Sequence, residues 1–153
     1  MQAQDAREEV PEQTVLLDIE SGIAELFRNA RHVARDYAAL AHPDLQPTGF
    51  HVLRLVAHLG PVQAGTLVLA TGLDKSAVSR QLRTLRDLGF IETQPDPDDG
   101  RSSYVVITPL GERRIRAVQR QVRRDYEVRL ADWTPAELAS FARLLTRFNE
   151  VER

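Results

Sequence analysis

The sequence predicts a mainly α-helical fold carrying one small antiparallel β-hairpin, with long helices at both ends. Three observations predict it. Apolar residues recur at helical spacing over most of the chain. One stretch, Phe90 to Thr108, switches to β-competent residues around a turn rich in Pro and Asp. Wide apolar stripes also lie outside that region, near both ends. A chain of 153 residues is one domain's worth and can bury a real core. Its 42% hydrophobic and 27% charged content is that of a globular chain, not a disordered one.

Each element follows from its residues. Met1 to about Gln13 has few apolar side chains and reads as a loose arm. From Leu16 to Leu40 a stripe of Ile19, Ile23, Leu26, Phe27, Ala30, Val33 and Tyr37 predicts a long helix. His42-Pro43 to Pro47 is a break, after which Thr48 is expected to cap a helix carrying Phe50, Leu53, Val56, Ala57 and Leu59. Gly60-Pro61 ends it. Val62 to Ala70 is expected to form a short helix, and Thr71-Gly72-Leu73 turns the chain into the next one. Asp74 caps that helix, Val78, Leu82 and Leu85 give it an apolar stripe, and Gly89 ends it. Phe90–Gln94 and Ser103–Thr108 are the two strands, joined by Pro95 to Ser102. Thr108-Pro109 opens a helix running to about Ala131. Thr134-Pro135-Ala136-Glu137 is a capping box for the last helix, which places Leu138, Phe141, Leu145 and Phe148 on one side. The expected divisions are an arm over 1–13, a helix and linker over 14–47, a central region over 48–108, and C-terminal helices over 109–153.

The polar side of the helix after Asp74 carries the chemistry. Ser76, Ser79, Arg80 and Arg83 fall opposite its apolar stripe, with Lys75 and Arg86 on the flanks. Between Lys75 and Arg86 there are four basic residues and no acid. Arginine can grip guanine with two donors or hold phosphate, and serine reaches base or backbone. Alone, such a helix is usually a solvated basic face. The hairpin that follows decides otherwise, because helix, hairpin and return to helix describe a winged helix, a shape for holding duplex DNA. Asp99 stands two residues before Arg101, close enough to orient its guanidinium outward at the hairpin tip, with Ser102 beside it. The reading places Ser76, Ser79, Arg80 and Arg83 on base edges, Lys75 and Arg86 on phosphate, and Arg101 in or beside the minor groove.

The formal charge of −2 does not oppose a polyanionic partner, since the local patch sets phosphate affinity. Residues 1–25 hold seven carboxylates against Arg7, while basic charge gathers in the Lys75–Arg86 helix and in Arg113, Arg114, Arg116, Arg120, Arg123 and Arg124.

Asp74 to Leu88, then Gly89-Phe90-Ile91-Glu92, then Asp99-Gly100-Arg101-Ser102, resembles the MarR family of bacterial transcription regulators. Ile107-Thr108-Pro109-Leu110-Gly111 matches that family's strand end and helix start. The resemblance implies a homodimer in which first and last helices of two protomers interlock, so Leu16, Ile19, Ile23, Leu138, Phe141, Leu145 and Phe148 are expected at the interface. It implies repression of a (pseudo)palindromic operator, relieved by a small aromatic or phenolic effector. The effector cleft is expected between the long first helix, the Thr48–Leu59 helix and the start of the Pro109 helix, with His32, Tyr37, His51 and Arg54 as lining candidates. Each of those four also has a plainer role as an ordinary helix residue. A rival reading keeps the fold for effector sensing or protein interaction, without operator binding.

Other classes lack their signatures. With no cysteine there is no disulfide, no thiolate metal site and no thiol sensing, although some members of the resembled family sense oxidants that way. No phosphate loop, HExxH or GxSxG motif is present, so no enzyme and no cofactor are expected. His51 and His58, seven apart, can share a helix face, but no Glu/His cluster accompanies them and no metal is expected. No apolar run has the length of a membrane span, and the first residues are acidic, so a cytoplasmic protein is expected.

Overall fold

A computed structural model describes residues 12–97 and 102–150. Six helices and one hairpin follow in the order α1 (Glu12–Ala41), α2 (Pro47–Leu59), α3 (Ala64–Thr71), α4 (Lys75–Asp87), β1 (Ile91–Pro95), β2 (Ser103–Ile107), α5 (Pro109–Arg129) and α6 (Pro135–Asn149). The strands pair antiparallel, from Ile91 opposite Ile107 to Pro95 opposite Ser103. The predicted class, mainly helical with a small antiparallel wing, is the one observed.

The core lies in the middle of the chain. Phe50, Val52, Leu53 and Val56 of α2, Leu67 of α3, and Val78, Leu82 and Leu85 of α4 are buried together with Phe90, Ile91 and Val105 of the hairpin region. Ala38 and Ala41 at the end of α1, Leu45 and Val62 in the connections on either side of α2, and Ile115 and Val118 in the first half of α5 join them. Burial follows the apolar stripes there, because each stripe faces another element. The first part of α1 and all of α6 behave differently. Leu16 is 56% exposed, Phe27 65% and Phe148 57%, and α6 contributes no buried residue.

Three expectations about boundaries need correction. α1 already begins at Glu12, so the last two residues of the expected arm are helical. Thr48 does not cap α2. Gln46 holds the cap position and Pro47 is the first helical residue, where its fixed φ suits the helix and its missing N–H leaves no donor unpaired. Val62 is not helical either. Its N–H donates to the Val105 carbonyl at 3.1 Å and its carbonyl accepts from Val105 N–H at 2.8 Å, which adds an isolated bridge to the edge of β2. α3 starts two residues later, at Ala64. A buried β-branched side chain fits that extended position.

Candidate nucleic-acid interface

α4 is set at both ends by local chemistry. Asp74 takes the cap position in extended geometry and its Oδ1 accepts from the Ala77 N–H at 2.8 Å. The Ser76 hydroxyl also donates to Asp74 Oδ1, at 2.6 Å, and the Ser76 Oγ accepts from Arg80 Nη1 at 3.2 Å. The Ser76 hydrogen bond, then that from Ala77, holds the Asp74 carboxyl below the usual aspartate range. At the other end Gly89 N–H donates to Arg86 O and Phe90 N–H donates to Leu85 O, both at 2.9 Å. That pair of bonds is a Schellman stop, and Gly89 supplies its left-handed residue at φ 71°.

The same stop is bolted to the start of α5. Thr108 N–H donates to Phe90 O at 3.0 Å, its hydroxyl donates to Gly89 O at 2.6 Å, and its Oγ1 accepts from Gly111 N–H at 3.1 Å. Gly111 is buried against this junction, and a Cβ there would overlap the Phe90 carbonyl oxygen. The Thr-Pro-Leu-Gly run is therefore required by close approach of α5 to the end of α4. His42 adds an edge contact to the Phe90 ring, with centroids 6.1 Å apart.

Anchored this way, α4 buries Val78, Leu82 and Leu85 and turns its polar side outward. Lys75, Ser76, Ser79, Arg80, Arg83 and Arg86 are all exposed. Among the described residues none of the four cations makes an ion pair. Ser79, Arg83 and Arg86 line one open groove of about 670 Å³ with Glu92 and Thr93 of β1 and Ser103 of β2. Arg86, expected on a flank, thus shares a surface with Ser79 and Arg83, while Lys75, Ser76 and Arg80 sit outside that groove. Sequence reasoning missed the strand residues Glu92, Thr93 and Ser103. For Thr93 and Ser103 the signal was the alternation that puts them on one face with Ile91 and Val105; Glu92 stands on the other face and had no such signal.

The base of the wing is closed by Asp96 and Ser102. Asp96 N–H donates to Ser102 O at 3.1 Å and the Ser102 hydroxyl donates to Asp96 Oδ2 at 2.7 Å. Ser102 was expected on DNA, and here its hydroxyl serves the wing's own closure. Asp99 and Arg101 lie outside the described residues.

Comparison with known proteins agrees with this geometry. Residues 44–102 match the family model described as MarR family. An HTH-type transcriptional regulator of Bacillus subtilis strain 168, YxaD, is 32% identical over 120 residues, which cover 78% of this chain and 84% of that one. The chain belongs to the MarR family of transcriptional regulators. Its fold is that of MarR-family crystal structures. RV1404 from Mycobacterium tuberculosis superposes with a TM-score of 0.77 at 23% identity, covering 88% of this chain and 92% of that one. A mutant MarR from E. coli complexed with operator DNA superposes with a TM-score of 0.62 at 22% identity, covering 87% and 94%.

Further from α4, this MarR-family chain has two adjoining, solvent-open cavities. The larger, about 870 Å³, is lined by Phe50, Ile115, Val118, Val122, Tyr126 and Leu138 among others. The smaller, about 310 Å³, reaches Leu26, Ala30, Val33, His51 and Arg129. Tyr37, Phe50, Arg54 and Tyr126 belong to both. Tyr37, His51 and Arg54 thus line these hollows, and His32 does not. It is exposed, and at 3.6 residues per turn it stands ~140° around α1 from Tyr37. The cleft also lies along α5 as far as Leu130, not only at that helix's start. Tyr37 ties the two long helices. Its hydroxyl donates to Asp125 Oδ2 at 2.9 Å, and Gln121 Nε2 donates to Asp125 Oδ1 at 2.7 Å. Burial, then the bond to Asp125, pushes the Tyr37 hydroxyl up to about 12. Arg54 makes no ion pair or hydrogen bond among the described residues. His51 and His58 border a third, shallow cleft, and no group of three or more potential metal ligands occurs among the described residues. No described helix is long and apolar enough to cross a membrane.

The seven expected interface residues have no buried place in the single chain. Leu16, Ile19, Phe141, Leu145 and Phe148 are exposed, and Ile23 and Leu138 are half-buried.

Proposed function

We propose that this chain is a homodimeric, sequence-specific DNA-binding regulator, a cytoplasmic repressor of a (pseudo)palindromic operator relieved by a small aromatic or phenolic effector. The observation that carries the reading is the outward face of α4. Four cations without ionic partners among the described residues, and two serines, are presented beside the wing strands, on a helix locked at both ends. Such a helix matches major-groove width, and its arginines match guanine or phosphate. A fold-mate, E. coli MarR, was crystallised with operator DNA. In this reading Ser76, Ser79, Arg80 and Arg83 face bases, Lys75 and Arg86 hold phosphate, and Arg101 enters or borders the minor groove.

Dimerisation is supported by the uncovered apolar rows of α1 and α6, which a lone protomer leaves in water. Effector binding is supported by the paired cavities, mainly apolar in lining and provided with the free guanidinium of Arg54. The test is footprinting on the promoter beside the protein's own gene over a salt series, repeated with a panel of small aromatic acids. A protected duplex that weakens steeply with salt and is released by one acid is the expected result. Absence of selective protection on that promoter and on selected random duplexes would leave the fold without this function.

A further inference from the structure

We infer that Ser76 is a positioning residue for Arg80, linking it to the Asp74 cap so that the guanidinium is set before DNA arrives. The inference rests on the operator-binding reading of α4 and changes the role of one of its residues. A serine hydroxyl has one proton, and here it goes to Asp74 Oδ1 at 2.6 Å. While that bond stands, Ser76 has no donor left for a phosphate oxygen or for guanine O6 and N7. One of its lone pairs is also taken, by Arg80 Nη1 at 3.2 Å. Ser76 is thus engaged on both sides within its own helix.

Arg80 is left differently equipped. Its Nη1 is occupied by Ser76, and the opposite edge, Nε with Nη2, makes no bond among the described residues. That edge is a two-donor fork of the spacing that guanine O6 and N7 accept. A free arginine must give up side-chain freedom to adopt one such pose. Asp74, Ser76 and Arg80 follow one another at i, i+2 and i+6, and the cap fixes the first of them to the helix through Ala77 N–H. The relay therefore runs from a rigid backbone point to the tip of a flexible side chain. Arg83, one turn further on, has no such tether among the described residues, so Arg80 is the more tightly set of the two.

The test is a double-substitution cycle on the full-length protein, using a duplex selected by the wild type from a random pool and an unselected duplex of equal length. Ser76→Ala should weaken selected-duplex binding about threefold to tenfold, the range for one lost hydrogen bond, with little change on the unselected duplex. In an Arg80→Ala background, Ser76→Ala should cost nothing further, and Ser76→Thr should restore selectivity in the wild-type background. Independently of DNA, the Asp74 carboxyl should titrate below the normal aspartate range in wild type and move back up in Ser76→Ala. A Ser76→Ala penalty that persists without Arg80 would make Ser76 a direct DNA contact and overturn the relay. So would an equal loss on both duplexes, an unaltered Asp74 titration, or no loss at all. A wild type that selects no duplex overturns the operator reading and the relay with it, whereas selection by wild type with an unaffected Ser76→Ala overturns the relay alone.

Discussion

Replacing Gly111 by alanine should destabilise the protein, although alanine is the better helix former. In an open helical position the exchange gains about 1 kcal/mol. Gly111 has ordinary helical backbone, so conformation does not forbid alanine. The space does. Its new Cβ would overlap the Phe90 carbonyl oxygen and lie 2.9 Å from Ile107 Cγ1 and 3.1 Å from the Phe90 carbonyl carbon. Two of those three atoms are backbone and cannot turn aside, so α5 must move off the end of α4. Overpacking of this kind costs about 1–3 kcal/mol. Moving α5 also stretches the Thr108 bonds to Phe90 O and Gly89 O, worth about 1 kcal/mol each. After the helical gain, the net loss is about 2–4 kcal/mol, or roughly 5–15 °C in Tm for a chain of this size. The assay is thermal unfolding at one fixed protein concentration, because a dimer's Tm varies with concentration. Gly65→Ala is the control, since nothing lies within 4 Å of its would-be Cβ on helix α3. It should hold or raise Tm. If Gly111→Ala is as stable as wild type, the close approach of α5 to Phe90 is wrong.

Other outcomes follow from the same geometry. Arg83→Ala should cost about 1–3 kcal/mol on a selected duplex if Arg83 grips a base with two donors, and less on an unselected one; equal losses would assign Arg83 to phosphate. A two-fold dimer should protect half-sites about 10 bp apart or a multiple of one turn, and a monomer mass at working concentration would contradict it. Tyr37→Phe should flatten the alkaline limb of stability. With the folded hydroxyl raised from 10.0 to about 12, wild type keeps this contribution below pH 10 and loses it as pH rises toward 12. Identical wild-type and Tyr37→Phe profiles over that window would remove the Asp125 bond from the account.

What the sequence disclosed and what it hid separate by range. The stripe Val78, Leu82, Leu85, the Asp74 cap, the Gly89 stop and the Thr134–Glu137 capping box are each written within a few residues, and all are observed. Val62 was hidden because its partner, Val105, is remote in sequence, and no local pattern announces a bridge of that separation. Gly111 was legible only as part of a motif, since its cause is the carbonyl of Phe90 on another element. His32 was misplaced by residue type. The lining positions on α1 are Leu26, Asn29, Ala30, Val33, Ala34 and Tyr37, a helical row from which His32 is absent, and its apolar members Leu26, Ala30, Val33 and Tyr37 were visible in the sequence. The relay from Asp74 to Arg80 lay open in the spacing but depended on which way one hydroxyl pointed.

The proposed sensing and reading functions need a mechanical connection, and the junction of α4 with α5 is the stiff part of it. Ile115 and Val118 are core residues and also walls of the larger cavity, one to two turns after Gly111. Gly111 and Thr108 hold that end of α5 against Phe90 and Gly89, where α4 stops. Little slack exists there, because the Gly111 backbone already lies against the Phe90 carbonyl and two hydrogen bonds from Thr108 oppose separation. The far part of α5 is held to α1 by a single side-chain hydrogen bond among the described residues, Tyr37 to Asp125. A ligand wedged between α1, α2 and α5 therefore meets its least resistance at the Tyr37 end and its greatest at the Gly111 end. Were the proposed effector to tilt α5, the rotation would pass through this junction to α4, and Arg83 and Arg86 on its outer face would swing with it. A one-ångström displacement there is enough to misalign a two-donor base contact, whose hydrogen bonds tolerate only a few tenths of an ångström.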